Sequence, residues 1–143
     1  MIIFKKISWK NFLSTGDVPT TVFFDRTPTT LIIGENGSGK STILDALTFG
    51  LFGRAFRNIN KPQLVNAINE RGLEVEIEFS IGKKQYLVKR GVKPNLFEII
   101  FNGKLIDQLA NNRDYQEYLE KVILKLNYKS FTQIVLLGNS SFE

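Results

Sequence analysis

Residues 34–41 read GENGSGKS and satisfy G-x-x-x-x-G-K-[ST] at every fixed position. A triphosphate is held by backbone N–H groups that converge on its oxygens, and glycine lets a chain wrap closely enough to aim them. Gly34, Gly37 and Gly39 fit that role, with Asn36 and Ser38 between them. Lys40 is placed to reach the β- and γ-phosphates, and the Ser41 hydroxyl is the expected Mg²⁺ ligand. Thr42 closes the stretch of 34–42 on which a nucleotide such as ATP would sit. A helix starting near Ser41 would add its positive dipole end to the same anion.

The flanking elements suit this chemistry. TTLIIG, just before the loop, reads as a buried strand. From Ser41 to Phe52, Ile43, Leu44, Leu47 and Leu51 form a helical stripe flanked by Ala46 and Phe49, as expected of a helix packed on a sheet and ended by Gly53. MIIFKKISWKNF and TTVFFD read as strands separated by the turn LSTGDVP. FRNINKPQLVNAINERG reads as a connector with a short helix from Pro62 to Ile68. LEVEIEFSI alternates, with Leu73, Val75, Ile77, Phe79 and Ile81 on one face and Glu74, Glu76, Glu78 and Ser80 on a wet one. GKKQYLVKR and NLFEIIF continue an antiparallel meander, and Asn102-Gly103 predicts a tight hairpin. Tyr115, Tyr118, Leu119, Val122, Ile123 and Leu126 predict a helix over 112–126 capped by Asn111 or Asn112, its apolar stripe directed to the core. SFTQIVLLG reads as a last strand. The fold class expected is α/β, a single phosphate-loop lobe over 1–143 with an antiparallel meander beside the loop's helix.

The chain has 143 residues, 43% of them apolar, and a net charge of +5. That suffices for a core and tilts partners toward polyanions. It has no cysteine and no histidine, which excludes disulfides, thiolate metal sites and the commonest general base. Catalysis would fall to carboxylates, lysine, hydroxyls or a bound cation. No apolar run is long enough to span a bilayer, and lysines interrupt the N-terminal apolar stretch, so no membrane role and a cytoplasmic setting are expected. Two lysine-rich stretches stand out, one of Lys5, Lys6 and Lys10, the other of Lys83, Lys84, Lys89, Arg90 and Lys93. They suit the solvated faces of edge strands.

GENGSGKST resembles the ABC-type version of the loop, and KNFLSTGD ahead of it resembles the first strand and turn of SMC-like repair ATPases. Together with NGSGKSTILDALTFGLFGRAFR, YLVKRGVKPNLFEI and FTQIVLLG, these blocks are similar, in order, to the ATPase subunit of the double-strand-break repair nuclease, most of all its tailed-phage variant, the large subunit of a recombination endonuclease. The resemblance implies the first half of an ATPase head that binds ATP and Mg²⁺. Gln133, the glutamine of FTQ, would be the Q-loop residue that contacts Mg²⁺ and the attacking water, and Mg²⁺ would be shared by Ser41 and Gln133. It also implies a partner nuclease subunit, duplex DNA met through scattered basic contacts to its phosphates, and a homodimer of heads formed through a second half. Many relatives carry a basic residue after NF where this chain has Leu13, so a role for Asn11, Leu13 and Ser14 near the base or ribose is not implied here. The signature motif, acidic strand and catalytic glutamate of that second half are absent from the sequence, which reads as an N-terminal fragment, a split-gene product or an excised piece. It would bind nucleotide without completing hydrolysis. Rival readings are a chromosome-organising SMC-like ATPase without a nuclease, a transporter nucleotide-binding domain, and a phosphate-loop kinase or GTPase. Transporter domains place their Q-loop much nearer the loop, and no N-K-x-D motif supports a GTPase.

Overall fold

The structure is a computed structural model that describes residues 2–12, 16, 18–23, 38–54, 64–65, 71–106 and 112–131, with backbone alone at 38–42, 112 and 113. Its frame is one antiparallel sheet in the order β2-β1-β3-β4-β5-β6. The strands are β1 (Ile2–Lys10), β2 (Thr20–Phe23), β3 (Leu73–Ile81), β4 (Lys84–Val92), β5 (Leu96–Phe101) and β6 (Lys104–Leu105), and helix α1 (Ser38–Phe52) packs on them.

Period-two alternation sets the faces of this sheet. Leu73, Val75, Ile77 and Phe79 are buried, and their register partners Val92, Arg90, Val88 and Tyr86 lie on the same inner face. Ser80, expected on the wet face, is buried as well. The turns follow their chemistry. Asn102 (φ 48°) and Gly103 (φ 84°) both adopt the left-handed conformation that a type I′ hairpin requires, and Gly82 (φ 61°) opens the β3–β4 turn. The tight hairpin expected from Asn102-Gly103 therefore forms, as does the β3–β4–β5 meander.

The helix over 112–126 takes a different form. Asn112–Tyr118 is an α-helix, α2, and Leu119–Leu124 is wound as a π-helix that ends at Lys125 in the left-handed region. Wider winding carries Leu119, Ile123 and Leu124 inward and leaves Val122 55% exposed, against the expectation that Val122 would pack. Tyr115 is fully buried, donates from its hydroxyl to the Ile106 carbonyl at 2.7 Å and accepts from the Ile99 N–H at 2.9 Å. It ties α2 to β5, so this face is core. A further helical turn covers 128–131, with the Asn127 carboxamide oxygen accepting from the Ser130 N–H at 2.8 Å, so Ser130 and Phe131 do not begin a strand. The remainder of SFTQIVLLG, the strand TTLIIG and most of the 62–68 helix lie outside the described residues. Leu64 and Val65 are described, and Val65 forms an isolated antiparallel bridge with Phe12.

Candidate functional site

Helix α1 begins at Ser38, three residues earlier than the apolar periodicity implied, and so inside the GENGSGKS motif itself. The N–H groups of its first turn have no partner within the helix. No acidic residue stands in that turn to offset the positive end of the dipole. The donor set fits a phosphate anion: main-chain N–H groups at a helix start, one lysine and hydroxyls, with no carboxylate among them. Of the residues read as binding nucleotide or Mg²⁺, Ser38, Gly39, Lys40, Ser41 and Thr42 lie in the helical backbone, while Gly34, Asn36, Gly37 and Gln133 are outside the described residues.

The part of this helix from Ile43 onward is enclosed by core. Every residue from Ile43 to Phe52 is buried, including Asp45 and Thr48, whereas the sequence pattern implied one buried stripe. One side rests on the sheet, where Gly50 allows contact close enough that a Cβ would stand 2.4 Å from Ile77 Cδ1. Aromatic rings from distant segments cover the rest. Phe12 meets Phe49 with centroids 6.1 Å apart, and Phe131 and Tyr128 meet Phe52 at 5.3 and 5.9 Å. Thr48 turns its hydroxyl back to the Leu44 carbonyl at 3.0 Å, so its burial leaves no orphan donor.

The C-terminal end of α1 is held by a residue that the sequence reading grouped with surface lysines. Arg90 is 8% exposed. Its Nε donates to the Gly50 carbonyl at 3.1 Å, one Nη donates to Leu51 at 3.4 Å and to the Gln116 side-chain oxygen, and the guanidinium lies 3.6 Å over the Phe97 ring. A cation at this end complements the negative pole of the helix. Burial pulls the Arg90 pKa down to about 9, opposed by Glu120, so the group remains charged at neutral pH. Gly53 (φ 81°) leaves the helix in the left-handed conformation with its N–H on the Phe49 carbonyl at 2.8 Å, the stop expected of it. The signal for Arg90 was in the alternation: Tyr86, Val88 and Arg90 share one face of β4, and that face is the inner one.

On the outer face the lysines meet carboxylates. Lys6 pairs with Glu78 at 3.7 Å and Lys10 with Glu74 at 4.0 Å, while Lys89 stands in register between Glu76 on β3 and Glu98 on β5. Among the described residues, the lysines at the hairpin tips have no carboxylate partner. Lys83, Lys84 and Lys104 are exposed at one end of the sheet, where the two turns are joined by the Asn102 N–H to Gln85 carbonyl bond at 2.8 Å, and Lys5 reaches Gln85 there at 2.9 Å. Asn11 is consumed structurally. It is buried with φ 51° and donates from its amide to the Gly72 carbonyl at 3.2 Å. Among the described residues, no group of three His, Cys, Asp or Glu could hold a metal, and no helix is long and apolar enough to cross a membrane.

This architecture, an antiparallel meander against a phosphate-loop helix, is the α/β fold of an SMC-type ATPase head. A solved chain from work on the ATP-driven dimerization and DNA-stimulated activation of SMC ATPases matches it with a TM-score of 0.63 and 25% identity, over 96% of this chain and 88% of that one. A family profile described as an AAA domain matches residues 6–143, and the chain belongs to that family. It is similar to Exonuclease subunit 2 of Escherichia phage RB69, 44% identical over 96% of this chain and 24% of the relative. The same name is carried by a relative from Enterobacteria phage T4 at 43% identity, again over 96% of this chain and 24% of that protein. A DNA double-strand break repair Rad50 ATPase of Sulfolobus acidocaldarius is 34% identical over 99% of this chain and 16% of its own length. The chain thus spans about a quarter of the length of the phage relatives it matches.

Proposed function

We propose that this chain is the ATP-binding lobe of a DNA repair and recombination ATPase that controls a partner nuclease acting on double-strand DNA ends. The observation that carries this reading is the start of α1 inside GENGSGKS, on a helix enclosed by core, in a chain similar to phage exonuclease subunits and archaeal repair ATPases. The backbone N–H groups of Gly34, Gly37 and Gly39 cradle the phosphates with Asn36, Ser38 and Thr42 beside them, and Lys40 neutralises the β/γ charge. Ser41 and Gln133 hold Mg²⁺, which when bound supplies charge neutralisation at the transferring phosphate. Rigid packing around Ile43–Phe52 keeps these donors aimed before nucleotide arrives.

DNA is held by backbone charge. Lys83, Lys84 and Lys104, which have no carboxylate partner among the described residues, supply phosphate contacts at the hairpin-tip end with Lys5, whereas Lys6 and Lys10 pair with glutamates and Lys89 stands in register between Glu76 and Glu98. Two such heads close around ATP through a second half of the head, as in the SMC ATPases whose ATP-driven dimerization has been described structurally.

The direct test is Lys40→Ala, read by nucleotide affinity and circular dichroism. Loss of a charge-assisted contact to the triphosphate costs roughly 1.5–3 kcal/mol, about a ten- to hundredfold weaker Kd, with an unchanged spectrum. A variant that binds ATP as tightly as the parent overturns the phosphate-loop reading.

A further inference from the structure

A buried guanidinium is an expensive way to fill a sheet face, since apolar residues of similar volume usually do as well. Arg90 sits on the inner face of β4, on the same face as Tyr86 and Val88, and its partners lie at the far end of the helix that opens in the phosphate loop. The Leu51 carbonyl there accepts from both Arg90 and the Gln116 side-chain nitrogen, the latter at 2.9 Å. Gln116 in turn accepts from Arg90 and donates to Glu120 at 2.8 Å. Glu120 belongs to the π-wound segment Leu119–Leu124 that continues α2 and ends at Lys125, a rare winding often found at functional sites.

We propose that Arg90 and Gln116 are positioning residues that register the C-terminal end of α1 against α2 and its π segment, so that nucleotide bound at the N-terminal end of α1 is felt in residues 112–124. The inference rests on the ATP-binding reading above. Its mechanical basis is that α1, buried over Ile43–Phe52 and pinned against Ile77 by Gly50, behaves as one stiff rod about 22 Å long. A small axial shift at its first turn is a shift of the Gly50 and Leu51 carbonyls. Gln116, itself on α2, bonds the Leu51 carbonyl directly, and Arg90 bonds both carbonyls and Gln116 while lying over Phe97. In this proposal the π segment serves as the two-state element that transmission between sites requires, biased between π and α winding.

The test is hydrogen exchange of the parent and of Gln116→Leu, each with and without ATP and Mg²⁺. Gln116 is only partly buried, and leucine has comparable bulk while lacking both hydrogen-bonding groups. Strands β3 and β4 report global stabilisation by the ligand, and the signal is any change beyond theirs. In the parent, ATP slows exchange in 38–52, and alters it in 112–124 by at least about fivefold beyond the sheet. In Gln116→Leu the effect on 38–52 persists with Kd unchanged within about threefold, and the effect on 112–124 is lost. Arg90→Lys, which keeps charge but not the fork, gives the same loss. Protection of 38–52 with no change in 112–124 of the parent, or a change there that survives Gln116→Leu, overturns the inference alone. No effect on 38–52 in the parent overturns the ATP reading, and this inference with it.

Discussion

Gly50 of the phosphate-loop helix faces Ile77 of β3 so closely that a Cβ on Gly50 would stand 2.4 Å from Ile77 Cδ1 and 3.2 Å from both Ile77 Cγ1 and Val75 Cγ1. Ile77 and Val75 are fully buried and have little room to yield. Overpacking of this kind costs about 1–3 kcal/mol, partly offset by up to about 1 kcal/mol from the better helix propensity of alanine. Gly50→Ala is therefore expected to lower stability by about 1–2 kcal/mol in chemical denaturation. Ile77→Val removes the Cδ1 that makes the nearest contact. The double variant should lose clearly less than the sum of the single losses, a favourable coupling of about 0.5 kcal/mol or more. Strict additivity would mean that the helix and strand do not meet at this pair.

The glutamates of β3 give a pH dependence of known sign. Burial holds the Glu76 carboxyl above its ordinary value near 4.5, with Lys89 opposing and the neighbouring Glu74 adding to the rise. A carboxyl raised in the folded state binds more protons folded than unfolded across that window. Its contribution to stability is greatest at acid pH and is lost as pH rises from about 4.5 through the folded value. Glu76→Gln removes the loss. The Tm of the variant relative to the parent should climb as pH increases from about 4.5 toward neutrality and then level off. A difference in Tm that is flat across this range would show that Glu76 titrates normally.

The sequence disclosed the sheet better than the helices, for physical reasons. Alternation in LEVEIEFSI and the Asn102-Gly103 pair are local signals, and the faces and the hairpin followed from them. Arg90 looks like a surface charge in a lysine-rich stretch, although Val88 and Tyr86, two and four residues before it, mark its face as the inner one. The enclosure of α1 was hidden because its cover, Phe12, Tyr128 and Phe131, comes from segments remote in the chain. No local pattern announces a π-helix. The wider turn at Leu119–Leu124 answers to tertiary packing, which draws Leu124 inward at the expense of Val122. The phosphate-loop assignment comes from a motif whose residue types backbone N–H chemistry fixes, whereas the Gln133 assignment comes from a family resemblance alone, and Gln133 lies outside the described residues.

Gln133 has a test that separates it from the phosphate loop. If its side-chain oxygen ligates the Mg²⁺ shared with Ser41, Gln133→Ala should leave ATP affinity in chelator unchanged and reduce the Mg²⁺-dependent part of binding by roughly tenfold. Titrating Mg²⁺ against the ATP complex measures this directly. Ser41→Ala should show the same selectivity. Equal affinity for Mg²⁺ in parent and Gln133→Ala would remove glutamine 133 from the metal site and leave the phosphate loop standing.

The two sets of lysines make opposite predictions for DNA. A phosphate contact releases counterions, and each one contributes about 0.9 to the slope of log affinity against log salt on duplex DNA. Lys83, Lys84 and Lys104 are exposed at the hairpin tips with no carboxylate partner among the described residues, so replacing all three with alanine should reduce the slope by about 2–3 and weaken binding uniformly across sequences. Lys6, Lys10 and Lys89 face Glu78, Glu74 and Glu76 across the strands. Their replacement leaves carboxylates unneutralised, which adds repulsion for DNA without removing a contact, so affinity falls modestly and the slope changes by less than about 1. Fluorescence anisotropy of a labelled duplex over a salt series distinguishes the sets. Slopes reduced equally by both would mean that the ladder opens to admit DNA, and slopes reduced only by the face lysines would move the DNA from the hairpin tips to the sheet surface.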